Sequence, residues 1–204
     1  MTKETASTGT RDRLIAAMVD ALRHRGYHGV GISDLLASAQ TPKGVLYHHF
    51  PGGKSELAVK AIEAVAEQLG SSLEKLIQRT ADPVDAMTLW MGSAQKMLEK
   101  SNFQAGCPLA TIALESRGED AEIRAALNNA FTLLRAKISQ VLGAAGMSDP
   151  AARATASLIV SAYEGALLQS RVAESGDIMR ETSEAFIGLI RAGLLKHGSA
   201  GGQT

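Results

Sequence analysis

Residues 41–54 read TPKGVLYHHFPGGK, and their side chains suit a polyanion better than a reaction. Thr41 is a good N-cap and Pro42 fits a first helical position, where a missing N–H costs nothing, so a helix is expected to begin here and end before Pro51. Unpaired N–H groups at that start can meet a phosphate, Lys43 can reach a phosphate or a base edge, and Gly44 lets a nucleic-acid backbone come close. Tyr47 and His48 can each donate to phosphate oxygens, and Lys54, opening the next helix, converges on the same anion. Val45, Leu46 and Phe50 are the packing residues of the stretch, and His49 packs or faces solvent.

The elements that must hold these residues are helices. Apolar residues recur at three and four along nearly the whole chain and no stretch alternates like a strand, which predicts an all-α protein of about nine helices. A stripe of Leu14, Ala17, Met18, Ala21 and Leu22 predicts a first helix from Thr10 to Arg25, stopped by Gly26. Ser33 is expected to cap a short second helix through Ala39, with Gln40 turning the chain into the third at Thr41. Three helices in fifty residues, the last two nearly touching, have the layout of a helix-turn-helix with a supporting helix. Beyond it, helices are expected from Lys54 to Arg79, Pro83 to Lys100, Pro108 to Ser116, Asp120 to Leu142, Pro150 to Glu174 and Asp177 to His197.

Of 204 residues, 45% are hydrophobic, enough for a sizeable core, and the formal charge is zero. Residues 1–60 nevertheless hold eight Lys/Arg against five Asp/Glu and four of the five histidines, so an anionic partner is expected at that end. A single cysteine, Cys107, excludes an internal disulfide, and with no leader or long apolar run the expected location is cytoplasmic. The small polar ends, MTKETASTG and GSAGGQT, are expected to be disordered tails.

The segment TPKGVLYHHFPGGKSEL, with GYHGVGISDLLASAQ before it, closely resembles the DNA-binding domain of TetR-family repressors over residues 10 to 60. That resemblance implies that Thr41, Lys43 and Gly44 face the groove, that Tyr47, His48 and Lys54 hold phosphates, and that Ser33 caps the second helix beside the DNA backbone. One departure stands out, since Gly52-Gly53 precedes Lys54 where the family often has a single residue. The resemblance further implies a DNA-binding domain at 10–53, an effector-binding and dimerising domain at 54–197, and a homodimer on double-stranded operator DNA. Two recognition helices about 34–36 Å apart read successive major grooves, which one helix alone cannot do.

Gly106-Cys107-Pro108-Leu109-Ala110, followed by IALE, resembles the LmrA/YxaF-like branch, which implies a small apolar or aromatic effector such as a flavonoid. Bulky adaptable residues fit such a pocket: Met87, Trp90, Met91, Phe103, Cys107, Ile112, Tyr163 and Leu167, with Glu164 for a ligand donor. The same residues are equally core material. Leu158 with the small residues Ala162, Gly165 and Ala166 on one late helix, and the large Phe186, Ile187, Ile190 and Leu194 on the next, are expected to pack across a two-fold axis. No cofactor is implied, and no catalytic or metal motif is present. The alternatives are a redox-sensing regulator using the Cys107 thiol and a protein-binding helical scaffold, the second of which leaves Thr41 to Lys54 without a purpose.

Overall fold

Helix periodicity is satisfied throughout the computed structural model, which describes residues 2–80 and 82–198, with side chains described from residue 9 to 194 except at 81. Among the described residues there are nine helices and no strand: α1 (Thr2–His24), α2 (Ile32–Ser38), α3 (Lys43–His49), α4 (Gly53–Ile77), α5 (Pro83–Lys100), α6 (Pro108–Glu115), α7 (Ala121–Ala144), α8 (Asp149–Ala173) and α9 (Asp177–Gly198). The all-α expectation holds. No helix among the described residues is long and apolar enough to cross a membrane.

Side-chain capping fixes the start of α5. Asp82 accepts from the Val84 N–H at 2.8 Å with Pro83 in the first turn, so α5 starts where its Asp-Pro pair requires. Two starts differ from expectation. The N-cap of α2 is Gly31, not Ser33, because the first helical bond runs from Leu35 N–H to the Gly31 carbonyl; Ser33 lies exposed within the first turn. The N-cap of α3 is Pro42, not Thr41, because Thr41 belongs to the end of α2. There Gln40 takes a left-handed φ of 50°, its N–H donates to Ala37 O at 3.1 Å and the Thr41 N–H donates to Leu36 O at 2.9 Å. That pair of bonds is a Schellman closure, and it ties off α2 and turns the chain directly into α3.

The N-terminal stretch expected as a tail is helical from Thr2, extending α1 upstream of Thr10. It contains no proline, and adding residues to an existing helix needs no new nucleus. Of GSAGGQT, residues 199–204 lie outside the described residues.

Packing divides the chain into two units, 1–67 with 107–130 and 68–106 with 131–204. In the first, Leu14, Met18, Leu22, Leu35, Leu46, Phe50, Leu57 and Ile62 form a buried core, and α6 packs with α1. The first unit thus takes in α6 and the start of α7 as well as the N-terminal helices. In the second, Leu73, Met87, Met91, Ile138, Ile159, Phe186 and Ile190 are buried together and α8 packs along α9.

Candidate nucleic-acid interface

Leu46 decides which way α3 faces. It is fully buried, and burying a leucine contributes about 1.5–3 kcal/mol, so the helix turns that side to the core. Lys43, Gly44, Tyr47 and His48 are all exposed on the rest of its surface, while Val45 and His49 are half-buried. A methyl group placed on Gly44 would meet no atom within 4 Å, so nothing inside the chain requires glycine there. His48 and His49 stand edge to face at 5.1 Å, and His49 leans toward the buried Phe50.

Thr41 is not part of this surface. It is only 7% exposed, and its hydroxyl donates to the Ala39 carbonyl at 3.0 Å. The expectation that its side chain faces a groove is corrected accordingly: the Schellman closure directs it inward. Ser33 is exposed, but beside the Gly31 cap rather than as the cap.

Lys54 is held more firmly than its sequence neighbours indicate. Gly53, the first residue of α4, adopts φ +67°, and a Cβ there would come within 3.3 Å of Tyr47 Cε1, so the extra glycine makes a tight turn against Tyr47. The next residue, Lys54, lies half-buried with its ammonium 4.4 Å from the centre of the Tyr27 ring. Burial lowers the Lys54 pKa from its ordinary value, against the opposing charge of Glu115. Tyr27 is shifted upward, chiefly by burial and then by Asp120, against a hydrogen bond with Ser55. Sequence reasoning missed Tyr27 altogether, and the aromatic signal it carried was there to read.

The apolar candidates separate between the units. Met87, Trp90, Met91, Tyr163 and Leu167 are buried in the second, where Trp90 Nε1 donates to Leu69 O at 3.2 Å and to Ser72 Oγ at 3.1 Å and the indole stacks on Tyr163 at 5.5 Å. Phe103 and Glu164 are half-buried there, Phe103 at φ 60°. Cys107 and Ile112 are buried in the first unit, Cys107 as N-cap of α6, where its burial leaves little of the thiol for an oxidant to reach. The second unit also has a groove of about 650 Å³ beside Arg135, Ser139, Asp149, Arg153 and Ser157, none of them a sequence candidate.

The expected dimer residues divide as well. Ala166, Phe186 and Ile190 are buried inside their own unit, a correction to their placement on a surface, and Ala162, Gly165, Ile187 and Leu194 are half-buried. Leu158 is exposed, and with Leu168 and Val172 it forms an outward apolar row along α8; Leu189 on α9 is exposed as well. Small and large side chains of α8 (Ala152, Ala156, Ile159, Val160) join Phe186 and Ile190 of α9 in the core, while the α8 row stays exposed.

Two family profiles match the chain: "Bacterial regulatory proteins, tetR family" over residues 14–61 and "Transcriptional regulator LmrA/YxaF-like, C-terminal domain" over residues 83–185. The HTH-type transcriptional regulator LmrA of Bacillus subtilis is 22% identical over 182 residues, covering 89% of this chain and 97% of that protein. YxaF of the same organism is 25% identical over 166 residues, covering 81% and 87%. The crystal structure of a regulatory protein TetR from Rhodobacter sphaeroides superposes with a TM-score of 0.75 at 25% identity, covering 86% of this chain and 96% of that one. With an exposed recognition-helix surface and both halves matched, the chain belongs to the TetR family of bacterial regulatory proteins with an LmrA/YxaF-like C-terminal domain, a DNA-binding transcriptional regulator rather than an enzyme.

Proposed function

We propose that the chain is a cytoplasmic homodimeric repressor that leaves its operator when a small apolar or aromatic molecule binds its C-terminal part. The observation that carries the DNA side of this reading is the shared exposure of Lys43, Gly44, Tyr47 and His48 on α3, with open space at Gly44. Lys43 and Gly44 enter the major groove, Tyr47, His48 and Lys54 hold phosphates, and Ser33 approaches the DNA backbone from the start of α2. Functionally the division is DNA binding at 10–53 and effector binding with dimerisation at 54–197.

The effector is received around Met87, Trp90, Met91, Phe103, Tyr163, Glu164 and Leu167, where methionines and stacked aromatics repack around an apolar guest. Two copies join through the outward row Leu158, Leu168 and Val172 of α8 with Leu189 of α9, an apolar surface that a second copy covers. The effector shifts the dimer toward a spacing that misfits successive grooves, by no more than its preference for that state.

Fluorescence anisotropy with the DNA upstream of its own gene and with scrambled duplex, across a salt series, tests the reading. Sequence-dependent binding by two chains per site, weakening steeply with salt, is the expected result. Lys43→Ala is expected to lower the salt slope by about one and change which operator variant is preferred. A folded dimer that binds no duplex at low salt would refute it.

A further inference from the structure

The Gly-Cys-Pro start and the IALE end of residues 106–115 have no part in the DNA surface described above, yet α6 packs with α1 inside the first unit. Leu109 and Ile112 are buried on its inner side. Its last residue, Glu115, is half-buried and reaches the turn between α1 and α2. One carboxylate oxygen, Oε2, accepts the His28 backbone N–H at 2.8 Å. The other, Oε1, lies 1.8 Å from where a Cβ on Gly26 would stand, and Gly26 has φ +74°. Only glycine satisfies both demands at once. Between these two contacts is Tyr27, whose ring carries the Lys54 ammonium.

We propose that Glu115 is a positioning residue of the DNA interface, fixing the Gly26–His28 turn and, through Tyr27, the placement of Lys54. This rests on the regulator reading above. A hydrogen bond from a main-chain N–H to a carboxylate is among the stronger ones a surface turn can make. Its acceptor comes from a residue 87 positions further along the chain, so the setting of the turn depends on α6 being in place. The Glu115 charge opposes the lowering of the Lys54 pKa by burial, but its main action on Lys54 is through the turn it holds.

Glu115→Met keeps the side chain's length without an acceptor, and Glu115→Gln keeps an acceptor without the charge. Hydrogen exchange at the His28 amide in the free protein is expected to quicken by about tenfold or more in Glu115→Met, while Leu57 and Ile62 stay protected. Operator affinity is expected to fall about 5- to 150-fold in the same variant and to stay within about threefold of wild type in Glu115→Gln. Combined with Lys54→Ala, the methionine variant is expected to lose less than the two separate losses added. Unchanged His28 exchange would overturn the proposal with or without DNA. Unchanged operator affinity, or strictly additive losses, would reduce Glu115 to a structural residue. Failure of the wild type to bind any duplex would sink the regulator reading instead, and the His28 exchange in free protein would still decide whether Glu115 holds the turn.

Discussion

Thr41→Val tests which way the turn between α2 and α3 faces. Valine keeps the branched shape and removes only the hydroxyl that donates to the Ala39 carbonyl at 3.0 Å. That carbonyl has a second donor, Arg13 Nε at 3.2 Å, so the substitution strands no acceptor. What remains is the net value of one hydrogen bond, about 0.5–1.5 kcal/mol. Against it, the buried methyl that replaces the hydroxyl contributes about 0.8 kcal/mol. The two nearly cancel, and urea unfolding is expected to show a change within about 1 kcal/mol. Operator affinity is expected to move by no more than about twofold, as for a substitution outside the interface, with the ranking of single-base-pair operator variants kept. Were Thr41 reading a base, valine would lose about 1–3 kcal/mol at one position, which competition anisotropy across those variants detects easily. A changed base preference would refute the inward assignment. Arg13→Ala alone also leaves the carbonyl one donor, whereas the double substitution strands it and is expected to cost about 1–3 kcal/mol beyond the sum.

Gly44→Ala meets open space, so thermal unfolding is expected to show unchanged stability or a gain of about 0.5–1 kcal/mol from the better helix former. Operator affinity should nevertheless fall about tenfold or more as the methyl holds the DNA backbone away, and tight binding by this variant would remove Gly44 from the interface. Trp90→Phe loses the donations to Leu69 O and Ser72 Oγ and is expected to destabilise the chain by about 1 kcal/mol or more in thermal unfolding, with no change counting against the indole as an anchor. Leu168→Glu places a charge on the outward face of α8 without touching the core, so sedimentation is expected to show a folded single chain with weakened operator binding. An undiminished dimer would locate the interface elsewhere.

Much of the fold was legible because its signals are local. Asp82-Pro83 marks the start of α5 by its own chemistry, and the stripe from Leu14 to Leu22 is buried as its spacing implied. Thr41 was misread because a threonine before a proline serves an N-cap and a Schellman closure equally well; the bond from its N–H to Leu36 O decides. Ser33 and Gly31 are both acceptable caps two residues apart, and the bond from the Leu35 N–H to the Gly31 carbonyl selects the earlier one. In α8 and α9 an apolar stripe has the same period whether it meets its own core or faces outward, so buried Ala166, Phe186 and Ile190 could not be distinguished from exposed Leu168 and Val172 by spacing. Glu115 was visible as the end of a motif, but its partner His28 is too distant in sequence for any local pattern to pair them.

Gly44 and Gly53, on either side of Tyr47, differ in what the folded chain demands of them. At Gly53 a side chain is resisted by the backbone angle and by the Tyr47 ring, whereas at Gly44 nothing in the folded chain opposes one. A variant library sorted only for resistance to proteolysis should therefore accumulate alanine and serine at position 44 while purging them at 53. A library sorted for silencing a promoter should purge both. Comparing the two sorted populations separates residues kept for folding from residues kept for reading DNA, without knowledge of the operator or the effector.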